Sequence, residues 1–222
     1  MVVASIRLLA LAALLALGAC HRGAASPLLA PAPKGLDLAA PDSFLVRFTT
    51  TRGPVDLMAY RAWSPRGVDR LHWLVTHGFY DGARVYRTVK DFVAQFGLSP
   101  DTAVTRAWRN RTIADDSVRA SNARGMVTFA KGGPNSRTTQ LFINLRDNTR
   151  LDAMGFSPVG RVVAGMPAVD SLYNGYGDGP PRGTGPAQER IVREGEPYLA
   201  KDFPLLDRIL SAAVIGAWTR KR

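Results

Sequence analysis

The chain has one cysteine, Cys20, and three histidines in 222 residues. A lone cysteine excludes an intrachain disulfide framework. His72 and His77 are five apart and do not share a helix face as a zinc pair would, and His21 lies in a Pro/Ala-rich stretch. The glycines of AKGGPNS, 130–136, lack the Gly-Lys-Ser/Thr ending of a phosphate loop. GYGDGPPRG, 175–183, has the wrong spacing and context for a dinucleotide fingerprint. No metal or cofactor is expected. Acidic residues are scarce: 18 Asp and Glu face 29 Lys and Arg, for a net charge of +11. The basic residues, mostly arginine, are spread from Arg7 to Arg222 without the stripe that marks a nucleic-acid binder. They read as a solvated surface with a weak pull on anionic partners.

Long apolar runs are missing too. The most apolar stretch, LLALAALLAL at 8–17, is about half of what a bilayer span needs. It suits the core of an export signal after the single charge of MVVASIR. LGAC, 17–20, puts small residues before Cys20 and resembles the bacterial lipobox, in which the cysteine is lipidated and becomes the new N-terminus. The resemblance implies a leader over 1–19, lipidation at Cys20 and an address in the cell envelope facing the periplasm. His21 in place of aspartate points to the outer membrane of a Gram-negative cell. Residues 20–42, with four prolines and no amphipathic period, read as a tether.

What is present suits one domain. At 46% hydrophobic the chain can bury a core. FLVRFTT and TRGPVDLMAY alternate like a hairpin turning near Arg52-Gly53. WSPRGVDRLHWLVTHG reads as a helix with Ser64 as cap, Pro65 in its first turn and Gly78 as stop. Val68, Leu71 and Leu74-Val75 fall on one face. Two strand-like pieces, 85–89 and 92–96, flank Lys90-Asp91. Residues 97–124 look irregular, and their Asp115-Asp116 pair reads as turn formers or arginine partners. GMVTFA, QLFINL and FSPVGRVVAG read as strands, MPAVDSLY as a short helix. From Pro204, Leu205-Leu206, Ile209-Leu210 and Ala213 share a helical face, which predicts a helix packed on the domain. The element order suggests a mainly antiparallel barrel.

VYRTVKDFVAQFG, 85–97, places Arg87 and Gln95 among core-forming neighbours. GFYDGARVYRTVKDFVAQFG resembles the cyclophilin signature Phe-His-Arg-Val-Ile … Phe-Met-x-Gln-Gly-Gly. SNARGMVTFAKGGPNSRTTQLFINL, LDAMGFSPVGRVVAGMPAVD and SPRGVDRLHWLVTHGFYDG resemble further cyclophilin blocks in order. The resemblance implies an eight-stranded antiparallel barrel with two helices over 43–174, to which 175–222 would add a Gly/Pro loop and a helical extension. It also implies a peptidyl-prolyl cis/trans isomerase with Arg87 as the catalytic arginine. Phe92, Val93, Phe142 and Leu151 would form the proline pocket. Gln95, Gln140 and the backbone of Ala130 and Lys131 would hold the peptide. Phe156 stands where the family has a rim histidine, and Arg150 where it often has tryptophan.

That chemistry fits the missing nucleophiles and bases. The peptide bond before proline turns slowly because resonance imposes a barrier of about 18–20 kcal/mol, and no bond need break. A fixed cation near the amide nitrogen stabilises the twisted state more than the planar one. The expected partners are proline-containing segments of exported proteins and, through Cys20, a membrane. Nucleic acid is not expected, and the chain reads as a monomer. The alternatives are a proline-peptide-binding or scaffold lipoprotein without turnover, and a purely structural envelope lipoprotein.

Overall fold

The computed structural model describes residues 26–220. The leader and Cys20 lie outside them, and among the described residues no helix is long and apolar enough to cross a membrane. The chain enters through one turn of helix, α1 (Pro33–Leu36). The described part of the expected tether does not stand free. Leu28 and Leu36 pack against the core. The Trp108 indole donates to the Leu28 carbonyl at 2.8 Å, and the Ala40 N–H donates to Asp69 at 2.8 Å. Burying such apolar side chains contributes about 1.5–3 kcal/mol each when complete, enough to lay a proline-rich segment on the surface.

Strands β1 (Ser43–Thr50) and β2 (Gly53–Tyr60) form the expected hairpin. α2 (Pro65–Thr76) follows and buries Val68, Leu71, Leu74 and Val75 as its periodicity predicts. Its cap differs from the expectation. Ser64 makes no side-chain cap. Asp116 instead accepts the N–H groups of Arg66 and Gly67, and Ser64 donates to the same carboxylate at 2.6 Å. A distant carboxylate outbids the local hydroxyl because it carries a full charge to the helix's positive end.

The chain continues through β3 (Arg87–Val89), β4 (Val93–Phe96), α3 (Thr102–Trp108), β5 (Met126–Phe129), β6 (Leu141–Asn144), α4 (Arg150–Ala153), β7 (Pro158–Ala164), α5 (Met166–Asp170), α6 (Gln188–Glu194), α7 (Glu196–Asp202) and β8 (Ile209–Trp218). The eight strands make one antiparallel sheet, ordered β3-β4-β6-β5-β7-β2-β1-β8 and curled into a half-barrel. Its two ends meet in an isolated bridge, Arg84 to Arg208, with the Ile209 N–H on the Ala83 carbonyl at 2.8 Å. The mainly β architecture expected from the pattern is present.

Two expectations are corrected. Residues 97–124 hold α3, capped by Asp101, whose carboxylate accepts the Ala103 N–H at 2.7 Å. The segment after Pro204 is not a helix: β8 pairs along all of β1. A bulge at Leu210, where Thr49 and Thr50 face Ser211 and Ile209, breaks its two-residue period and sets the buried Ile209 and Ala212 three apart, which mimics a helical face. The open hydrogen-bonding edge of β1 decides between the two readings. The helices of the extension, α6 and α7, lie before Pro204 and not after it. They bury Ile191, Tyr198 and Leu199 against Tyr86 and Leu98 of the barrel.

Candidate active site

β3 and β4 form a tight hairpin whose register sets Arg87 opposite Gln95. The turn is the expected Lys90-Asp91 interruption, with Asp91 at φ 54°. Alternation sends Tyr86 and Thr88 inward and leaves Arg87 half-buried. β4 is buried on both faces, Ala94 and Phe96 packing in the main core and Val93 in a second apolar cluster, while β6 on its other edge pairs Gln95 with Phe142. The odd composition of 85–97 is thus a hairpin that presents polar groups to a cavity from core-forming strands.

That cavity has a volume of about 630 Å³. Its floor is a separate apolar cluster of Val93, Phe142 and Leu151, with Phe92, Ala130 and Phe156 packed against it. The Phe142 and Phe156 rings meet edge to face at 5.8 Å. Arg87, Gln95 and Lys131 also line the cavity. Of the residues expected at the site, only Gln140 stands back from it. Its Oε1 accepts from Gln95 Nε2 at 3.0 Å and from the Tyr86 hydroxyl in a short contact. Gln95 Nε2 also reaches the Tyr86 oxygen at 2.7 Å. Gln140 therefore orients Gln95. Ala130 gives its N–H to the Gln140 carbonyl at 2.9 Å, which ties β5 to the same network. Cys20 is outside the described residues.

Cations crowd the rim. The Arg150 guanidinium lies 5.0 Å from the Phe92 ring centre, and the Lys131 ammonium 5.3 Å from that of Phe156. Lys131 is held by Asp115 at 2.9 Å. The Asp115-Asp116 pair serves arginine and lysine, as expected of it. Asp116 is 3.0 Å from Arg137 Nη2. Asp115 stands 3.3 Å from Arg137 Nε, within ion-pair reach but without hydrogen-bond alignment.

The opposite wall was not foreseen. Residues of the 178–189 segment, among them Asp178, Pro180, Arg182 and Glu189, line the same cavity. The Asp178 carboxylate accepts from Arg87 Nε at 2.7 Å and Nη2 at 3.1 Å, while Arg87 Nη1 donates to Gln95 at 3.0 Å. These bonds from Arg87 hold the Asp178 carboxyl below the ordinary carboxylate range, against the opposing effect of burial. Burial pushes the Tyr86 hydroxyl up, which keeps it protonated as a donor. An acid set in a run of glycines and prolines was the one sequence signal for Asp178, and nothing in its spacing tied it to Arg87.

Known proteins resemble this chain in sequence and in fold. The family model for cyclophilin type peptidyl-prolyl cis-trans isomerase/CLD matches residues 45–193. A peptidyl-prolyl cis-trans isomerase of Acinetobacter baylyi is 28% identical over 135 residues, 59% of this chain and 72% of its own. Peptidyl-prolyl cis-trans isomerase A of Dickeya dadantii is 31% identical over 141 residues, 60% of this chain and 73% of its own. The crystal structure of a Cryptosporidium parvum cyclophilin superposes with a TM-score of 0.58 at 17% identity, covering 78% of this chain and 97% of that one. The same protein was also crystallised in the presence of the dipeptide Ala-Pro. With the family model spanning most of the chain and the fold in agreement, this protein belongs to the cyclophilin-type peptidyl-prolyl cis/trans isomerases.

Proposed function

We propose that the chain is a lipid-anchored cyclophilin that turns X-Pro bonds in exported proteins, with Arg87 as its catalytic residue. The observation that carries the reading is a guanidinium fixed beside an apolar floor of Val93, Phe142 and Leu151 in one cavity. Phe92, Val93, Phe142 and Leu151 would take the ring, with Phe156 at the rim. The Arg87 fork would then lie near the amide nitrogen, where the poorly screened charge favours the lone pair of the twisted bond. Gln95, oriented by Gln140, would hold a backbone carbonyl, and the edge at Ala130 and Lys131 would grip the peptide. Each tenfold in rate requires about 1.4 kcal/mol, so four or five decades require roughly 6–7. No proton or electron pair leaves the substrate.

Exchange NMR on a prolyl peptide tests the catalytic part. Arg87→Ala in the full chain should lower kcat/KM by about two to three decades, or roughly 3–4 kcal/mol of transition-state stabilisation. Peptide affinity should change far less, because the apolar floor survives. Arg87→Lys should recover little, since an ammonium lacks the planar fork. A variant without Arg87 that turns over at the wild-type rate would remove this mechanism.

Export and anchoring rest on LLALAALLAL and LGAC. Clients in the periplasm and an outer-membrane address follow from the same segment. Cys20→Ser should leave an unlipidated precursor that leaves the membrane fraction, because the thiol is the only group that can carry the lipid. Equal partitioning of the variant and the wild type would place the anchor elsewhere.

A further inference from the structure

Arg87 is not free in its groove. Among the described residues its side chain makes three hydrogen bonds, two to Asp178 and one to Gln95. A guanidinium has five N–H donors, so two remain for substrate. The carboxylate takes the Nε edge in the fork-to-fork geometry that fixes a guanidinium plane, while Gln95 holds the far nitrogen.

The loop that brings Asp178 there is built for this contact. Gly177 bridges to Thr88, the next residue of β3 after Arg87. The Gly185 N–H donates to the Asp178 carbonyl at 2.8 Å, and the Gly179 N–H to the Asp178 side chain at 2.8 Å. A Cβ on Gly183 would sit 2.3 Å from the Asp178 carbonyl oxygen, so the loop closes this tightly only with glycine there. Tyr176 on one side and α6 with α7 on the other pack in the Tyr86 cluster, which anchors both ends of the loop to the barrel. Only 15% of the Arg87 side chain and 22% of the Asp178 side chain is exposed.

We propose that Asp178 is the positioning residue of this isomerase, holding the Arg87 guanidinium plane so that its two remaining donors meet the twisted amide. The proposal rests on Arg87 acting as the catalytic cation. An unbraced arginine would have to order its long, flexible side chain at every turnover. The brace removes that cost before substrate arrives. The opposite effect is equally definite: a carboxylate that merely competed with substrate for the fork would act as a latch, and its removal would raise activity. The sign of one substitution separates the two.

The experiment is a double-mutant cycle of Asp178→Asn and Arg87→Ala in the full chain, read by exchange NMR on a prolyl peptide. Asp178→Asn should lower kcat/KM by about ten- to a hundredfold, the scale of a small misplacement of a catalytic group, with the loss in kcat and KM little changed. In the Arg87→Ala background it should have no further effect, because the group it positions is gone. A role in loop folding alone would reduce activity equally in both backgrounds and overturn the proposal. Asp178→Glu, which keeps the carboxylate, should stay closer to wild type than Asp178→Asn. The Arg87 Nε–H resonance should exchange slowly with water in wild type and fast in Asp178→Asn. An Asp178→Asn protein as active as wild type, or more active, overturns the proposal while Arg87→Ala remains impaired. If Arg87→Ala is itself fully active, the reading of Arg87 fails instead and the brace has nothing to position.

Discussion

Two arginines in this molecule are each clasped by an aspartate, and they serve opposite ends. Arg137 has 2% of its side chain exposed and Asp116 3%. The Arg137 donors go to the Ala114 carbonyl, Ser64 and Asp116. Gly67 lies so close that a Cβ there would be 3.0 Å from Arg137 Nη1 and 2.6 Å from Ser64 Oγ. Arg137, Asp116 and Ser64 do not line the 630 Å³ cavity, and their work is to bind the 114–116 segment, the Gly-rich loop and the start of α2 together. Arg87 has the same carboxylate partnership and likewise three side-chain hydrogen bonds, but it lines the cavity, so its remaining donors face open space. The lesson is that an ion pair does not reveal a role. What decides is whether the guanidinium's remaining N–H groups have a cavity to point into.

Arg137→Ala is the substitution with the largest expected effect on stability. It leaves the Asp116 charge buried without its buried cation and with one of its four hydrogen bonds gone, a loss of about 3–5 kcal/mol. Urea unfolding at neutral pH measures it. Turnover per folded molecule should remain near wild type, because Arg137 does not line the cavity. Arg87→Ala should invert both results, with a stability change of about 1 kcal/mol or less for its more accessible pair and the large kinetic loss already stated. If both variants unfold equally early, the contrast between the two arginines collapses and Arg87 is a structural ion.

The sequence exposed one side of this site and hid the other. Arg87, Phe92, Gln95 and Phe142 could be found because strand period and order are local, and because they sit in blocks that resemble a known family. The hairpin turn at Lys90-Asp91 could be read for the same reason. Asp178 could not, since its partner lies 91 residues away and its loop has no period. Ser64 looked like the cap of α2 because caps are ordinarily local, and the carboxylate that displaces it comes from position 116. β8 was hidden differently: its bulge offsets the apolar residues into a helical spacing, and only the unpaired edge of β1 selects the strand. Each of these three misses is a long-range partner overriding a local preference, whereas α3 was missed despite its local Asp101 cap.

Acid offers the finest test of the comparison. Burial pushes the Asp116 carboxyl up, but the Ser64 hydroxyl, the Gly67 N–H and the Arg137 charge outweigh it and leave it below the usual range. Asp178 is also lowered, chiefly by its bonds from Arg87. A carboxylate depressed in the folded state stabilises the fold fully above its unfolded pKa of about 3.9, and that stability is lost as pH falls through the lower folded value. Wild type should therefore lose stability below about pH 4, and the loss should be steeper than in either Asp→Asn variant. Asp116→Asn should flatten the slope more than Asp178→Asn, since water screens the more open pair. Unfolding free energies at pH 7, 4 and 3 for the three proteins give the slopes without depending on each variant's absolute stability. A slope flattened equally by both substitutions would mean that the two aspartates are held alike, and that the accessibility separating Arg87 from Arg137 has no energetic counterpart.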